Sequence, residues 1–475
     1  MTEEHDSFEE TGFWWTQENP DEHMSGILSY NRQEGGLLKL LLAKTPTSIF
    51  PDARSYNAIF GKSAKGTPIS LFDCQDVGGS ASSAGYETRE IRVGVIIKGF
   101  YLPSLSQKDI TDVYVDFQYL SLWLANSGIT VKRQPSSRNF IVRYKEPMNK
   151  EIKISRDLSI VFLHWSNDPM VTPYDYEVTI KHEIYVWIKP CNKQCYYFFR
   201  EVIRTLQDFL TIACSDLSYP LTINAITSSD TKPTANGRIR YPQAEVYHSL
   251  GIWERLYGEV HPSDMLFTFA DIEDRIDVIL KHWFDKADLL KPVRDLYVSA
   301  IYSPKFILEP KFLTLTQAIE SYHRRFRDST YMTQNELDTD ILPVLEAAIP
   351  AGINNDFRQS IKNKMKYLHE YSLSKRLNLL IKDNAKILDL YMQDPTSLVE
   401  PIIAYRNYFT HYDPKSHKAF KVNYGDVLYL CYFLKFLIEL CFLREMGFNS
   451  DDIINQLKNN YRYRNIFRKR VLETQ

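Results

Sequence analysis

The chain has 475 residues and a formal net charge of -2, and 44% of its residues are hydrophobic, 13% aromatic and 24% charged. This length exceeds the usual size of one hydrophobic core, so we expect two or three domains, and the composition excludes a disordered or fibrous protein. Residues 1–25 hold eight acidic and no basic residues, whereas residues 404–475 hold twelve basic and seven acidic ones. Residues 1–24 are therefore either an acidic arm that shields a basic C-terminal surface or a frayed terminus.

The cysteines and the most apolar stretch indicate the cellular compartment of the protein and its relation to membranes. Six cysteines and an acidic N-terminus without a signal peptide predict a cytoplasmic protein. Cys191 and Cys195 form a CxxxC pair, but no second pair or His cluster has metal-ligand spacing, so we expect buried thiols, no metal and no cofactor. Residues 427–443 are too few to span a membrane, and Lys435 and Glu439 can pair there at i,i+4. We expect a buried or interface helix and no membrane partner.

Residues 25–250 are predicted to form a β-rich domain. In YEVTIKHEIYVWI (176–188) apolar and polar residues alternate, as in a strand with one buried face. Two shorter segments, IRVGVII and VYVDF, show the same period, and one helix is predicted at 194–214. GKSAKG (61–66) contains Gly-Lys-Ser but lacks the first glycine of a phosphate-binding loop, because position 56 is Tyr, so we predict a hairpin turn.

From about residue 265 the apolar period becomes that of a helix. Five residues lie on one amphipathic stripe: Ile272, Ile276, Ile279, Leu280 and Trp283. Helices separated by stop signals are predicted at 311–328, 334–347, 354–370, 374–393, 397–412 and 426–446. We therefore predict an α+β multidomain protein, with connecting helices at 251–300 and an all-α bundle at 301–475.

The helix predicted at 397–412 carries the chemistry of most interest. A capping-box pattern places its start at Ser397, and Pro414 places its end near His411. Arg406 and His411 therefore lie in its last turns, where positive side chains stabilise the negative end of the helix dipole. Stabilisation of the helix end is one interpretation of these residues.

The other interpretation is a catalytic site. Asn407 and His411 face the same way at i,i+4, and Arg406, about 140° from His411 on the helical wheel, can reach round to them. The sequence shows no carboxylate cluster of the two-metal nuclease type, but RNA supplies its own nucleophile, the 2′-OH. His can transfer protons near neutrality, and Arg can stabilise the phosphorane charge. One His per chain cannot make both transfers at once, so a two-fold dimer is implied, with helix 427–443 as a candidate interface.

Several segments resemble a known family. RNYFTH (406–411) is similar to the Arg-x(4 to 6)-His motif of HEPN domains, helical metal-independent ribonucleases that act as dimers. LTLTQAIESYHRRFRD (313–328) looks like the first HEPN helix. SGILSYN (25–31), AIFGKSAKGTPISLFDC (58–74) and VYVDFQYLSLWL (113–124) resemble the N-terminal domain of ApeA-like anti-phage proteins.

The resemblance implies an abortive-infection protein that cleaves RNA, with tRNA among the candidate substrates, when a phage-derived trigger is present. It implies a homodimer or higher homo-oligomer, and a sensing or regulatory role for residues 25–250. Arg406 and His411 take the catalytic positions, and Asn407 takes the intervening polar position. HEPN toxins silenced by adenylylation carry Tyr two residues after the His, where this chain has Asp413, so we do not expect that regulation.

Other charged residues are candidates for supporting roles. Glu320 and Arg324, at i,i+4 on the first bundle helix, either support the site or form a surface salt bridge. NNYRYRNIFRKR (459–470) either binds RNA or is a last helix whose aromatic residues pack on the bundle. Its candidates for RNA binding are Arg462, Arg464, Arg468, Lys469 and Arg470. The alternative function is a non-catalytic binding and dimerisation module whose β-rich domain recognises a phage or host partner.

Overall fold

A computed structural model describes residues 7–43, 55–81, 86–133, 140–167, 169, 172, 174, 176–229, 231–233, 239–249, 260–302, 307–412 and 422–473. The chain divides into two compact units. The β-rich unit comprises Met1–Cys214, Ser218–Pro262 and Thr268–Asp277. The helical unit comprises Ser215–Leu217, Ser263–Phe267 and Val278–Gln475.

The described residues of the β-rich unit contain sixteen strands. They are β1 (Ser7–Thr16), β2 (Met24–Asn31), β3 (Gly35–Ala43), β4 (Ser55–Ser63), β5 (Pro68–Ala81), β6 (Tyr86–Lys98), β7 (Ile110–Phe117), β8 (Ile129–Arg133), β9 (Phe140–Tyr144), β10 (Lys150–Lys153), β11 (Leu158–Ser166), β12 (His182–Pro190), β13 (Pro220–Thr227), β14 (Lys232–Pro233), β15 (Ile239–Arg240) and β16 (Gln243–His248). The predicted alternation at 176–188 is confirmed from His182 onward, where Ile184, Val186 and Ile188 are buried.

Twelve of these strands form one antiparallel sheet, in the order β10-β11-β12-β7-β13-β16-β6-β3-β2-β1-β4-β5. Because β5 also pairs with β6, strands β1 to β6 close into a six-stranded barrel. β6 is shared: it pairs with β3 and β5 in the barrel and with β16 in the open part of the sheet. Strands β8 and β9 pair in a separate two-stranded sheet, as do β14 and β15.

The first barrel strand lies in the segment that the sequence indicated as an acidic arm. Trp14 in β1 is fully buried, and Glu10 forms an ion pair with Lys98 at 2.8 Å. The expectation of an arm or a frayed terminus is therefore wrong for residues 7–16. The high acidic content masked a strand whose Phe8 and Trp14 point into the barrel while Glu9 is exposed.

The Gly-Lys-Ser run has a structural role in the barrel. Gly61 lies in β4 directly opposite Trp14 of β1, and a Cβ at this position would come within 2.1 Å of the Trp14 ring. A glycine is required there because the indole occupies the space of a side chain. The chain turns immediately afterwards, with the Gly66 N–H donating to the Ser63 carbonyl at 2.8 Å. The predicted hairpin turn is confirmed.

Fourteen α-helices lie in the described residues. They are α1 (Leu120–Leu124), α2 (Tyr196–Cys214), α3 (Ile276–Asp285), α4 (Ala287–Tyr302), α5 (Leu308–Phe326), α6 (Gln334–Glu336), α7 (Leu342–Ala347), α8 (Asn355–Met365), α9 (Leu373–Asp383), α10 (Ala385–Leu388), α11 (Val399–His411), α12 (Tyr424–Glu445), α13 (Ser450–Leu457) and α14 (Tyr461–Glu473). A π-helical turn joins α6 to α7. The predicted fold class, a β-rich half followed by a helical half, is confirmed.

Helix α12 is the central helix of the helical unit. All side chains from Phe436 to Leu443 are buried, so this part of the helix is covered on every face by its own chain. The Tyr424 hydroxyl donates to Glu309 at 3.0 Å and the Tyr322 hydroxyl to Glu445 at 2.8 Å, which aligns α12 in parallel with α5. The prediction that residues 427–443 form a dimer interface is therefore wrong for Phe436–Leu443, whereas Leu428 is exposed.

The start of α11 also differs from the prediction. Asp394, not Ser397, caps this segment, and its side chain accepts hydrogen bonds from the backbone N–H groups of Thr396 and Ser397. A short 3₁₀ turn, Pro395–Leu398, then leads into α11. Asp394 is a favourable N-cap residue, and Pro395 after it suits the first helical turn. The helical segment therefore begins at Pro395, and Ser397 lies inside it instead of capping it.

Candidate functional site

The end of α11 presents the Arg-Asn-His motif to solvent. Ile402, Tyr405 and Phe409 are buried, and the Phe409 ring packs edge-on against Phe312 of α5 at 5.9 Å. These apolar contacts fix the rotation of α11 about its axis. Asn407 and His411, which lie on the other side of the helix, are exposed. Asn407 and His411 thus face the same way, as predicted, and their exposure is consistent with a site open to a large ligand.

Arg406 is linked directly to the motif's polar residue. Its Nη1 atom donates to Asn407 Oδ1 at 3.3 Å, while the Thr410 hydroxyl donates to the Arg406 backbone carbonyl at 2.6 Å. The amide of Asn407 therefore orients the guanidinium, which leaves its remaining N–H groups available to an oxyanion. The pairing also keeps Arg406 on the same side of the helix as Asn407.

α11 ends just after the histidine. Tyr412 adopts a left-handed conformation with φ of 44°, and its N–H donates to the Tyr408 carbonyl at 2.7 Å. This terminates the helix and leaves the His411 side chain in the last turn, as the sequence predicted. Asp413 and Pro414, which entered the predictions about adenylylation and the helix end, lie outside the described residues.

Tyrosines that are not part of the Arg-Asn-His motif surround this helix end. The Tyr405 hydroxyl accepts a hydrogen bond from the Asn423 N–H at 3.2 Å, which connects α11 to the start of α12. The Tyr424 side chain donates to Glu309, and this hydrogen bond, with the nearby charge of Glu309, raises the pKa of Tyr424. Tyr412, Tyr424 and Leu428 are exposed. Tyr424 and Leu428 belong to α12 and reach this end only through tertiary packing, so no local pattern could have found them.

Glu320 and Arg324 are not part of this end of the bundle. Arg324 pairs with Glu370 at 2.6 Å, and the buried Arg376 approaches the same carboxylate at 3.6 Å. Glu320 and Arg324 follow Phe312, which contacts α11, by eight and twelve residues, which corresponds to about 12 and 18 Å along α5. Within one chain, the supporting role proposed for this pair is therefore wrong for Arg324.

The basic C-terminal helix is divided between core and surface. Tyr463 and Phe467 of α14 are buried, so the interpretation in which the aromatic residues pack on the bundle is correct for these two. Arg462 donates to the Ser215 carbonyl at 2.5 Å and is only partly exposed. Arg464 and Arg468 are exposed and remain candidates for RNA binding. The side chains of Lys469 and Arg470 lie outside the described part of the structure.

The described residues contain neither a metal-binding cluster nor a membrane-spanning helix. No group of three or more His, Cys, Asp or Glu side chains lies close enough together to bind a metal ion in this part of the chain. Among the helices that the structure describes, none is both long enough and apolar enough to cross a membrane.

Comparison with known proteins agrees with the fold. The family model for the Apea-like HEPN domain matches residues 313–452, which include α11 with Arg406, Asn407 and His411. The family model for the ApeA N-terminal domain 1 matches residues 9–283, more than half of the chain. Neither the curated proteins nor the solved structures contain a significant match. The chain thus belongs to the ApeA-like HEPN family.

Proposed function

We propose that the protein is an anti-phage abortive-infection factor whose HEPN domain is a metal-independent endoribonuclease. The observation that carries the proposal is the group of the half-buried Arg406 and the exposed Asn407 and His411 at the end of α11, inside the HEPN match. Residues 25–250 would sense a phage-derived trigger, and residues 251–300 would connect this domain to the helical one. Residues 301–475 would cleave RNA, including tRNA, in the cytoplasm.

The proposed reaction uses the ribose 2′-OH as the nucleophile. One imidazole removes the 2′-OH proton, the 2′-oxygen attacks the adjacent phosphorus, and a second imidazole protonates the departing 5′-oxygen. The products are a 2′,3′-cyclic phosphate and a 5′-OH. The Arg406 guanidinium, oriented by Asn407, stabilises the charge that develops on the phosphorane oxygens.

Two imidazoles require two chains, because each chain contributes one His411. We place the dimer contact beside the motif, where Tyr412 is 54%, Tyr424 56% and Leu428 39% exposed. Tyr424 and Leu428 are one helical turn apart on α12, so they share a face. A two-fold axis through this aromatic and aliphatic patch would bring both His411 side chains to the same RNA phosphate.

The dimer contact can be tested by one substitution on this patch. The variant Leu428→Arg should be monomeric in sedimentation velocity, because it places two like charges across a two-fold interface, and it should lose RNA cleavage with its helical content intact. The variant Leu390→Arg is a matched control, since Leu390 is also exposed in the helical unit. A monomeric Leu428→Arg protein that still cleaves RNA would exclude the two-chain mechanism.

The chemistry itself is tested by the ends that the protein produces. Purified protein is incubated with total RNA in EDTA, with and without extract from phage-infected cells, and the new RNA ends are determined. We expect 2′,3′-cyclic phosphate and 5′-OH ends in the presence of EDTA. Cleavage with 3′-OH and 5′-phosphate ends, or no cleavage even with infected-cell extract, would favour the non-catalytic binding module.

A further inference from the structure

Strands β8 and β9 form a ribbon that is exposed on both faces. In this β8–β9 ribbon, which comprises Ile129–Arg133 and Phe140–Tyr144, the two strands pair with each other and lie outside the twelve-stranded sheet. Every residue except the half-buried Tyr144 is exposed. A two-stranded ribbon in water is marginally stable without further packing, so an uncovered one with apolar side chains indicates a surface for a partner.

The register assigns the side chains to two different faces. Ile129 lies opposite Tyr144, Val131 opposite Val142 and Arg133 opposite Phe140, and these six residues share one face. Phe140 on this face is 66% exposed and Val131 is 56% exposed. The other face carries Thr130, Lys132, Ile141 and Arg143. One face is therefore aromatic and aliphatic with one Arg, and the opposite face is cationic.

The charge of the ribbon is strongly positive. Residues 126–145 contain five basic residues and no acidic residue. Four of them, Lys132, Arg133, Arg143 and Lys145, lie in the described part of the chain and are exposed, and the ion pairs of the β-rich unit's described residues do not include them. Uncompensated cations on both faces of one element complement a polyanion.

The base of the ribbon is held in place. Tyr144 packs against His182 of β12 with ring centroids 6.1 Å apart, and His182 in turn hydrogen-bonds His164 at 3.1 Å. At the other strand, Gly128 has φ of 68°, and a Cβ there would lie 2.2 Å from the Lys145 carbonyl oxygen. The Tyr144 contact attaches the ribbon to β12, and the close approach of Gly128 to Lys145 holds its two strands together at the base.

We propose that the β8–β9 ribbon binds single-stranded RNA, and this inference rests on the proposed function in that it assigns RNA as the ligand. Phe140 beside Arg133 offers a ring and a planar guanidinium on which bases can stack, while Lys132, Arg143 and Lys145 contact phosphates. An acidic protein would satisfy the charges but would not require an aromatic ring and a guanidinium side by side. The ribbon would recruit RNA for cleavage by the helical unit.

Binding can be measured apart from cleavage. Fluorescence anisotropy with single-stranded RNA of about 16 nucleotides, the upper end of site sizes for single-strand binding modules, is carried out in EDTA with the His411→Ala background. The test variant is Lys132→Gln/Arg143→Gln/Lys145→Gln. The matched control, Lys65→Gln/Lys108→Gln/Arg156→Gln, removes the same charges from exposed positions elsewhere in the β-rich unit. A separate variant, Phe140→Ala, tests stacking.

The ribbon variant should bind RNA at least roughly tenfold more weakly than the control at low salt, and its plot of log affinity against log salt should be shallower by about 2, because three phosphate contacts at about 0.7 each are lost. Phe140→Ala should weaken binding roughly tenfold with little change in salt slope. Equal affinities of ribbon and control variants overturn the inference. So does a ribbon variant that binds RNA normally but loses the response to phage, which would identify a protein partner. Ribbon-dependent binding by a protein that never cleaves RNA would overturn the proposed nuclease alone.

Discussion

The variant His411→Ala should lose RNA cleavage by a factor of at least about 10⁴, because one proton-transfer residue typically contributes 10²–10⁴-fold and a two-fold site loses both its base and its acid in one substitution. The protein should stay folded, since the His411 side chain is exposed and ends a helix that is held by Phe409 and Tyr405. The measurement is the initial rate of cleavage of a labelled RNA in EDTA, with circular dichroism and sedimentation of the same preparation.

Matched variants separate the roles within the motif. His282→Ala removes another exposed imidazole of the helical unit, next to Gly447 beyond the far end of α12, and should leave the rate unchanged. Arg406→Lys keeps the charge but not the planar fork, so it should also be strongly impaired. Asn407→Ala should reduce the rate less than either, because it only releases the guanidinium. A His411→Ala protein as active as the parent would show that this helix end is not the catalytic site.

Replacing Glu439 with Gln should destabilise the helical unit by about 3–5 kcal/mol, the usual result of removing one partner of a buried ion pair. Glu439 is fully buried and pairs with Lys435 at 2.5 Å, while the hydroxyls of Ser215, Tyr297 and Tyr463 also donate to it. Burial lowers the pKa of Lys435 to about 8, and the Glu439 charge opposes this shift, so Lys435 keeps its proton at neutral pH. Glu439→Gln therefore leaves an ammonium group buried without its counter-charge.

A double-mutant cycle tests that explanation. Lys435→Met/Glu439→Gln removes both charges, and the amide oxygen can still accept from the Ser215 and Tyr297 hydroxyls, so much of the lost stability should return. The control is Asp295→Asn, which removes the partner of Lys291 in a largely exposed i,i+4 pair and should cost less than about 1 kcal/mol. Denaturant unfolding of the helical unit provides the free energies. A Glu439→Gln protein as stable as the parent would contradict the buried ion pair. So would a Lys435→Met/Glu439→Gln protein whose free energy of unfolding is no higher than that of Glu439→Gln.

The helices were predictable because their signal is local. The predicted helices at 311–328 and 426–446 correspond to α5 and α12 within a few residues, since a stripe of period 3.6 and a breaker residue are visible in a short window. The i,i+4 pairing of Lys435 with Glu439 was predicted for the same reason. The hydrogen bond of Lys435 to Ser215 was not predicted, because the two residues are 220 positions apart and no local pattern links them.

The site was predictable only as far as one helix reaches. The spacing of Arg406, Asn407 and His411 placed them together at a helix end, and the structure shows the contact between Arg406 and Asn407. Tyr424, which lies beside this end, comes from another helix. Arg324 was misassigned because its i,i+4 neighbour is only one of the acids within its reach, and tertiary packing places Glu370 closer. The barrel strand β1 was not predicted because the high acidic content of residues 1–25 conceals the alternation of buried and exposed side chains.

The position of Ser215 also determines when the helical unit can be completed during synthesis. Lys435 and Tyr463 hydrogen-bond Ser215, which precedes them by 220 and 248 residues. Domains generally fold from the N-terminus as the chain emerges from the ribosome. The barrel strands up to Lys98 can close early, but the centre of the helical unit stays open until the last helix has been translated. A chain whose translation stops before Tyr463 thus lacks the completed centre of the helical unit, and under the proposed function it would not cleave RNA.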